Sequence, residues 1–337
     1  MITVSDLTKH YALPKRFTDI FSKKKGFAEA RVLRAVDGVD FTIREGEVLG
    51  LVGESGCGKS TMARLMVGLE TPTHGDVMFA DVNARTLKAQ DRKAFHRKVQ
   101  MVFQDPYGSL NPQHKIKELI ARPLIYQKLP LSDAEREQAV IEAMTEAGLT
   151  PVEQFLEKYP HQLSGGQRQR VCIARAIVIK PELLVADEPI SMLDVSIKWG
   201  IIQLLKRLVK QRRLALLYIT HDLSSAGAIC DQLAIMYLGK VVEYGPSKEI
   251  LANPQHPYTK ALLGSTPSID IKNKRPPIEI LGGIPNATSV PTGCRFHPRC
   301  PIAQPVCSQT EPAPDKTALH RVACHFVQVP ALVQAEA

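Results

Sequence analysis

Nine consecutive residues, GESGCGKST at 53–61, join glycines, a lysine and three hydroxyls in the spacing G-x-x-x-x-G-K-[ST]. Glycine at Gly53, Gly56 and Gly58 lets backbone N–H groups turn inward around an anion, and the start of a following helix adds the positive end of its dipole. Lys59 is placed to reach the β- and γ-phosphates of a nucleotide, and the Ser60 hydroxyl to ligate Mg²⁺. Glu54, Ser55, Cys57 and Thr61 complete the binding loop, with Cys57 filling a position that tolerates many residues. A plain glycine-rich turn would not need its neighbours: EVLGLV (47–52) has the makings of a buried strand, and MARLMVGLE (62–70) of a helix stopped by TPTHG. This strand–loop–helix context turns the spacing into a phosphate loop. The chain is expected to bind a nucleoside triphosphate.

Two further strand ends carry polar chemistry. PELLVADEP (181–189) runs from an apolar strand into Asp187, positioned to hold Mg²⁺ through water, and Glu188, positioned to orient or deprotonate an attacking water. An Asp-Glu pair alone is commonly a solvated strand end; a phosphate loop upstream favours the catalytic reading. A third apolar strand, ALLYIT (215–220), ends at His221, a candidate γ-phosphate contact. Between them lies LSGGQRQRVCIARAI (163–177). Ser164 suits a helix N-cap, Val171, Ala174 and Ile177 suit a packed helix face, and Gly165 and Gly166 leave backbone donors free for an anion. A second anion site in a chain that already has one requires an explanation.

The chain resembles the ATP-binding subunits of ABC transporters. The resemblance is carried, in family order, by GESGCGKS (53–60), Gln104 in VFQDP, LSGGQ (163–167), LLVADE (183–188), SMLD (191–194) and His221, and extends over nearly the whole chain. It implies two nucleotide-binding domains packed head to tail, each ATP lying between one phosphate loop and Ser164, Gly165, Gly166 and Gln167 of the other subunit. The second anion site then serves the partner's nucleotide. By the same resemblance Gln104 contacts Mg²⁺ and senses the membrane subunit, Asp194 belongs to the loop linking the two sites, and Tyr11 stacks on adenine. Met192 stands where a small residue is frequent, and Trp199 follows closely; with Glu188 and His221 both present, neither implies lost activity.

The implied fold is α/β: a P-loop RecA-like parallel sheet with an antiparallel β subdomain, an inserted helical subdomain and a loop-rich C-terminal extension. The ATPase domain is expected over 1–245, with the helical part at about 105–170. SDAEREQAVIEAMTEAGL (132–149) supports that insert with a capping start and helical periodicity, and the resemblance makes it the receiver of a permease coupling helix. The 337 residues suffice for one large or two ordinary domains. A net charge of +9 admits an anionic partner. Residues 15–34 hold seven Lys/Arg against two acids, which reads as a solvated loop before a lipid contact. The N-terminus lacks a signal-peptide pattern, and no stretch approaches the roughly 18 apolar residues of a membrane helix. A cytosolic protein with reduced thiols is expected, sitting peripherally on the cytoplasmic face of the inner (cell) membrane.

After Gly245 the sequence becomes proline-rich, giving an extension over 246–337. Within it, NPQHPYTKALLGSTP (253–267) resembles the segment following the ATPase in oligopeptide/dipeptide-type importers. Cys294, Cys300, Cys307 and Cys324 are separated by five, six and sixteen residues. Structural zinc sites use closer pairs, although His297 and His325 keep zinc open; four thiolates also suit a [4Fe–4S] cluster, and free thiols are the third reading. Several members of the importer subfamily carry an iron–sulfur cluster in this tail, so the resemblance implies [4Fe–4S], structural or regulatory, with zinc as the alternative.

The resulting expectation is the ATP- and Mg²⁺-dependent energy-coupling ATPase of a membrane importer for peptides or related small solutes. Its expected partners are a second ABC ATPase in a heterodimer, two permease subunits and, indirectly, a solute-binding protein. Nucleic acid is not expected: non-transport ABC ATPases acting on nucleic acid or ribosomes generally carry a coiled-coil insertion or two ATPase halves, and neither is visible. An exporter ATPase is the nearer alternative, disfavoured by the HPYT-plus-cysteine tail.

Overall fold

The computed structural model describes residues 1–13, 32–80, 82–88, 91–265, 280–283 and 285–327. Most of the basic 15–34 segment lies outside the described residues.

Two sheets organise the chain. The first is antiparallel, in the order β2-β1-β4-β5, from β1 (Ile2–Ala12), β2 (Val32–Ile43), β4 (His74–Phe79) and β5 (Val82–Asn83). The second has seven strands. Its parallel part comprises β3 (Val48–Val52), β6 (Val99–Val102), β7 (Leu183–Asp187), β8 (Ala215–Thr220) and β9 (Gln232–Tyr237); β10 (Lys240–Pro246) and β11 (Arg321–Val322) continue it antiparallel, in the order β11-β10-β9-β3-β8-β7-β6.

Every residue of β3, β7 and β8 is buried, as expected of parallel strands covered on both faces. Their near-continuous apolar sequences hide a period of two, because alternate side chains enter different cores. Val48, Val52, Leu184, Ala186, Leu216 and Tyr218 face the core shared with the helices. Leu49, Leu51, Leu183, Val185, Leu217 and Ile219 face the core closed by the antiparallel sheet and α1 (Lys59–Met66). Each such side chain contributes about 1.5–3 kcal/mol on burial, which accounts for the exclusion of polar residues here until the strand ends.

After α1, the chain runs through α2 (Arg92–Lys98) into β6 and then enters a helical insertion before β7. The insertion contains α3 (Ile116–Tyr126), α4 (Asp133–Glu146) and α5 (Glu153–Leu156), and α6 (Gly165–Ile177) leads back to the sheet. The N-terminus of α4 is a capping box: Ser132 Oγ accepts from Glu135 N–H at 3.3 Å, and Glu135 Oε2 accepts from Ser132 N–H at 2.7 Å. Two more helices, α7 (Val195–Arg212) and α8 (Leu223–Ile229), flank β8, and α9 (Ser247–Ala252) and α10 (Pro257–Ser265) follow β10. No helix among the described residues is long and apolar enough to cross a membrane.

The segment after Gly245 packs into the sheet's own core. A short α11 (Pro305–Gln309) precedes β11, which pairs with β10 through Glu243↔Val322 and Tyr244↔Arg321. The buried Phe296 ring lies 5.3 Å from Tyr237, 5.5 Å from Tyr258 and 5.7 Å from His256. His256 is itself buried: Nδ1 accepts from Tyr258 N–H at 3.1 Å, and the ring also bonds Ala323 of the returning chain. The buried Glu243 carboxylate accepts from the Gln255 and His256 N–H groups at 2.8 and 3.0 Å and pairs with His320 at 2.7 Å.

Burial holds the His256 imidazole neutral, pushing its pKa down to about 4 despite the opposing pull of Glu243. Below the unfolded value near 6.5, the unfolded chain takes up the proton first, so this histidine costs stability as pH falls. Between pH 7 and 5 its contribution should fall by roughly 2 kcal/mol. Denaturant titrations of wild type and His256→Gln across this range should show the smaller pH slope in the variant.

Candidate functional site

The phosphate loop leaves β3 at Val52 and enters α1 at Lys59. Gly56 lies at φ +80° with open space where a Cβ would stand. Gly58 lies at φ +111°, where a Cβ would sit 2.0 Å from the Ala35 carbonyl oxygen; at Gly53 it would sit 2.2 Å from that of Met236. Two of the three glycines are therefore demanded by close backbone approach, one of them with left-handed geometry as well. Gly58 caps α1 without a side-chain bond, leaving the helix's first N–H groups available to an anion. The buried Lys59 ammonium donates to the Gly53 and Glu54 carbonyl oxygens at 2.8 and 3.0 Å.

Sheet order assembles the remaining groups. Because β6, β7 and β8 are neighbours, Gln104, Glu188 and His221 emerge along one edge just beyond their strands. Glu188 Oε2 accepts from Gln104 Nε2 at 3.2 Å, and Oε1 lies 3.2 Å from His221 Nδ1. Glu188 has φ +44°, an unusual conformation for a residue with a Cβ; its N–H donates to Ile219 O at 2.9 Å and its carbonyl accepts from Ser191 Oγ at 3.0 Å. The turn at the end of β7 thus aims the carboxylate between the two neighbouring strand ends. One residue earlier, Asp187 is mostly buried. Burial pushes its pKa up, opposed by a hydrogen bond from Ser60, while the Glu188 charge raises it further. Ser60 and Asp187 form a hard-oxygen pair that fits Mg²⁺, which favours few protein carboxylates and keeps water and phosphate ligands.

The other sequence-predicted residues lie elsewhere. Ser164 caps α6 in a second box: its Oγ accepts from Gln167 N–H at 3.3 Å and its N–H donates to Gln167 Oε1 at 3.0 Å. Gly166 is pressed against α7, where a Cβ would meet Ile197 at 2.5 Å. Among the described residues, no hydrogen bond or ion pair joins 164–167 to the phosphate loop. Asp194 is the N-cap residue of α7 and accepts from Ile197 and Lys198 N–H groups through its carbonyl at 2.9 and 3.0 Å. Met192, Val195 and Trp199 are exposed around it. Tyr11 lies near the end of β1, opposite Leu33, with the Lys9 ammonium 4.9 Å from its ring centroid.

All seven cysteines are free thiols. Cys294, Cys300, Cys307 and Cys324 are gathered: Cys294 feels the other three electrostatically, Cys300 feels Cys307 and Cys324, and Cys324 feels Cys307. Burial, chiefly, pushes the Cys294 thiol up to about 11. Cys294 N–H donates to Cys307 O at 2.7 Å, which ties two of the four together through the backbone. His297 Nδ1 bonds to the Cys294 carbonyl and His325 Nε2 to that of Thr310, both at 2.9 Å. Among the described residues no group of three or more His, Cys, Asp or Glu side chains stands in an arrangement that could hold a metal ion. The four thiols are close, but their side chains do not converge as metal ligands.

Sequence reasoning missed the side chains that surround Glu54. Its N–H donates to Tyr258 Oη at 2.9 Å, and its carboxylate accepts from Arg299 at 2.7 and 3.2 Å. The partners lie 204 and 245 residues downstream, so no local spacing announces them. The one signal was an HPYT motif with no chemistry assigned to it.

The ABC transporter family model matches residues 36–191, and the model of the oligopeptide/dipeptide transporter C-terminal region matches 242–307. A putative oligopeptide transport ATP-binding protein of Bacillus subtilis, YkfD, is 44% identical over 97% of this chain and 95% of its own length. The di/tripeptide transport ATP-binding protein DppF of Pseudomonas aeruginosa is 42% identical over 97% and 98%. Among solved structures, a dimeric ATP-binding cassette in a post-hydrolysis state with ADP and Pi is 30% identical with a TM-score of 0.62, covering 73% of this chain and 99% of that one.

Gly58→Ala tests the loop geometry. The collision with Ala35 and the positive φ should lower stability by about 2–4 kcal/mol, read as a fall in denaturation midpoint together with loss of nucleotide binding.

Proposed function

The chain belongs to the ATP-binding subunits of ABC transporters, in their oligopeptide/dipeptide branch, and on that premise we propose how its residues couple ATP hydrolysis to peptide import. The protein is an ATPase that uses ATP and Mg²⁺ and works with a membrane transporter. The observation that carries the mechanism is the carboxylate of Glu188 held between Gln104 and His221 at the end of β7.

Lys59 and the N–H groups from Gly56 to Thr61 receive the β- and γ-phosphates, with Lys59 exchanging its bonds to Gly53 and Glu54 for phosphate oxygens. Ser60, Asp187 and Gln104 are the residues that would hold Mg²⁺. The ion neutralises charge on the transferred phosphoryl group when bound. Glu188 orients and deprotonates the water that attacks the γ-phosphate, and His221 holds that carboxylate from one side while offering a contact to the phosphate. Tyr11 supplies the adenine contact. The Ser164–Gln167 capping box leaves the Gly165 and Gly166 N–H groups for an anion, and among the described residues no bond ties 164–167 to their own chain's phosphate loop, consistent with service to the nucleotide of a second ATPase, a related chain in a heterodimer. The exposed Met192, Val195 and Trp199 beside Asp194 supply an apolar rim for that contact.

A groove of about 700 Å³ beside Gln104, lined by Gln100, Met101, Phe103, Pro123 and Arg175, suits the coupling helix of a permease. Closing of the ATPase pair then reaches the permease through Gln104 and the helical insertion. A peripheral position on the cytoplasmic face follows from this docking, with a solute-binding protein delivering the cargo. The domain division keeps 1–245 as ATPase, with about 105–170 helical, and 246–337 as the extension. Within it, a [4Fe–4S] cluster on Cys294, Cys300, Cys307 and Cys324 is supported by the closeness of the four thiols, and holding it requires their side chains to turn inward.

Glu188→Gln should retain ATP binding while cutting turnover of the assembled transporter by about 10²–10⁴-fold, and Lys59→Ala should weaken nucleotide binding itself. Unchanged hydrolysis in the glutamine variant would refute the role given to Glu188. Anaerobic purification followed by iron, sulfide and zinc determination should give about four irons per chain; stoichiometric zinc without iron would replace the cluster reading.

A further inference from the structure

One short stretch of the C-terminal segment inserts two arginines into the ATPase. Arg295 bonds Asp37 on β2 and the Leu238 carbonyl after β9. Arg299, four residues later, grips Glu54 of the phosphate loop with both terminal nitrogens, at 2.7 and 3.2 Å, and lies against the Tyr237 ring. The second residue of the loop is thereby held at all three of its polar groups. Its N–H donates to Tyr258 Oη at 2.9 Å, its carboxylate accepts the Arg299 fork, and its carbonyl accepts from Lys59 Nζ at 3.0 Å.

The arrangement is costly as a stabilising device. Arg299 is buried, its Nε has no partner among the described residues, and a buried ion pair frequently stabilises less than apolar packing of the same volume. A two-point fork instead fixes direction, which suits a part whose task is placement. Glu54 also stands beside the seat of a polyanion. Neutralised by Arg299 it is tolerable there; left bare, its charge would oppose the incoming phosphates.

We propose that Arg299 and Tyr258 are positioning residues for nucleotide binding: they hold Glu54, and through it the resting place of Lys59 and the curve of the phosphate loop. The inference rests on the reading of residues 53–61 as the ATP site. The loop is ordered during folding, so less ordering remains to be done on binding, and the charge nearest its entrance is already paired.

Titration of the full-length chain with the magnesium complex of a slowly hydrolysed ATP analogue tests this. Arg299→Gln should raise Kd about tenfold, or ~1.4 kcal/mol, and in the assembled transporter should raise KM for ATP more than it lowers kcat. Arg299→Lys should recover part of the loss. Arg295→Gln, which breaks the other anchor, should lower the denaturation midpoint yet leave Kd unchanged. In a Glu54→Gln background, adding Arg299→Gln should move Kd by less than about twofold, because the effect passes through the carboxylate. Tyr258→Phe, which removes one hydroxyl, should raise Kd on its own, and it serves should Arg299→Gln fail to fold. An unchanged Kd in Arg299→Gln or in Tyr258→Phe, an equal rise in Arg295→Gln, or additive effects in the double variant would overturn the proposal. If the wild-type chain itself does not bind the nucleotide analogue, the ATP-site reading falls, and the positioning role with it.

Discussion

The nucleotide site depends on the backbone ladder that makes β3, β8, β7 and β6 end together. Val52 pairs with Thr220, Asp187 with Ile219, and Val102 with Ala186. Each polar group is then delivered by its distance beyond a strand end: Gly53 and Glu188 one residue out, His221 likewise, Gln104 two. A slip of one residue in any of these pairings would exchange the two buried faces of a strand and also carry its terminal side chain out of reach. Register and the placing of these side chains are therefore specified by the same contacts, and the uniform burial of β3, β7 and β8 protects both.

The C-terminal segment extends this order beyond the sheet. β11 adds to the edge at β10, while Phe296, Tyr258 and Tyr237 pack a small aromatic cluster under the phosphate loop. From that cluster polar tips emerge towards Glu54. An ATPase core without the segment would have to satisfy the Glu54 N–H and carboxylate by other means, and would expose the edge of β10 as an unpaired strand.

Much of this was legible in the sequence. The strand–loop–helix pattern at 47–70, the acidic end of LLVADE and His221 after ALLYIT identify the site because each is local: a few adjacent residues contain both the element and its chemistry. The Ser164 cap is local too, and both capping boxes are present. What the sequence hides are the bonds between distant segments. Arg299 looks like one more surface cation until its partner 245 residues earlier is known, and nothing in HPYT predicts that Tyr258 accepts a phosphate-loop N–H. The cysteines show the opposite limit. Their number and place were legible, but among the described residues they do not form a group arranged to hold a metal.

The distance between the phosphate loop and its supports also has a temporal meaning. On a ribosome the loop emerges well before Arg299, with a helical insertion and five strands of the seven-stranded sheet synthesised between them. Every nascent chain therefore passes through a long interval in which Glu54 has neither partner. The Glu54 carboxylate gains its partner only once Arg299 has emerged, and a chain released short of that point would lack this support while already possessing most of its core.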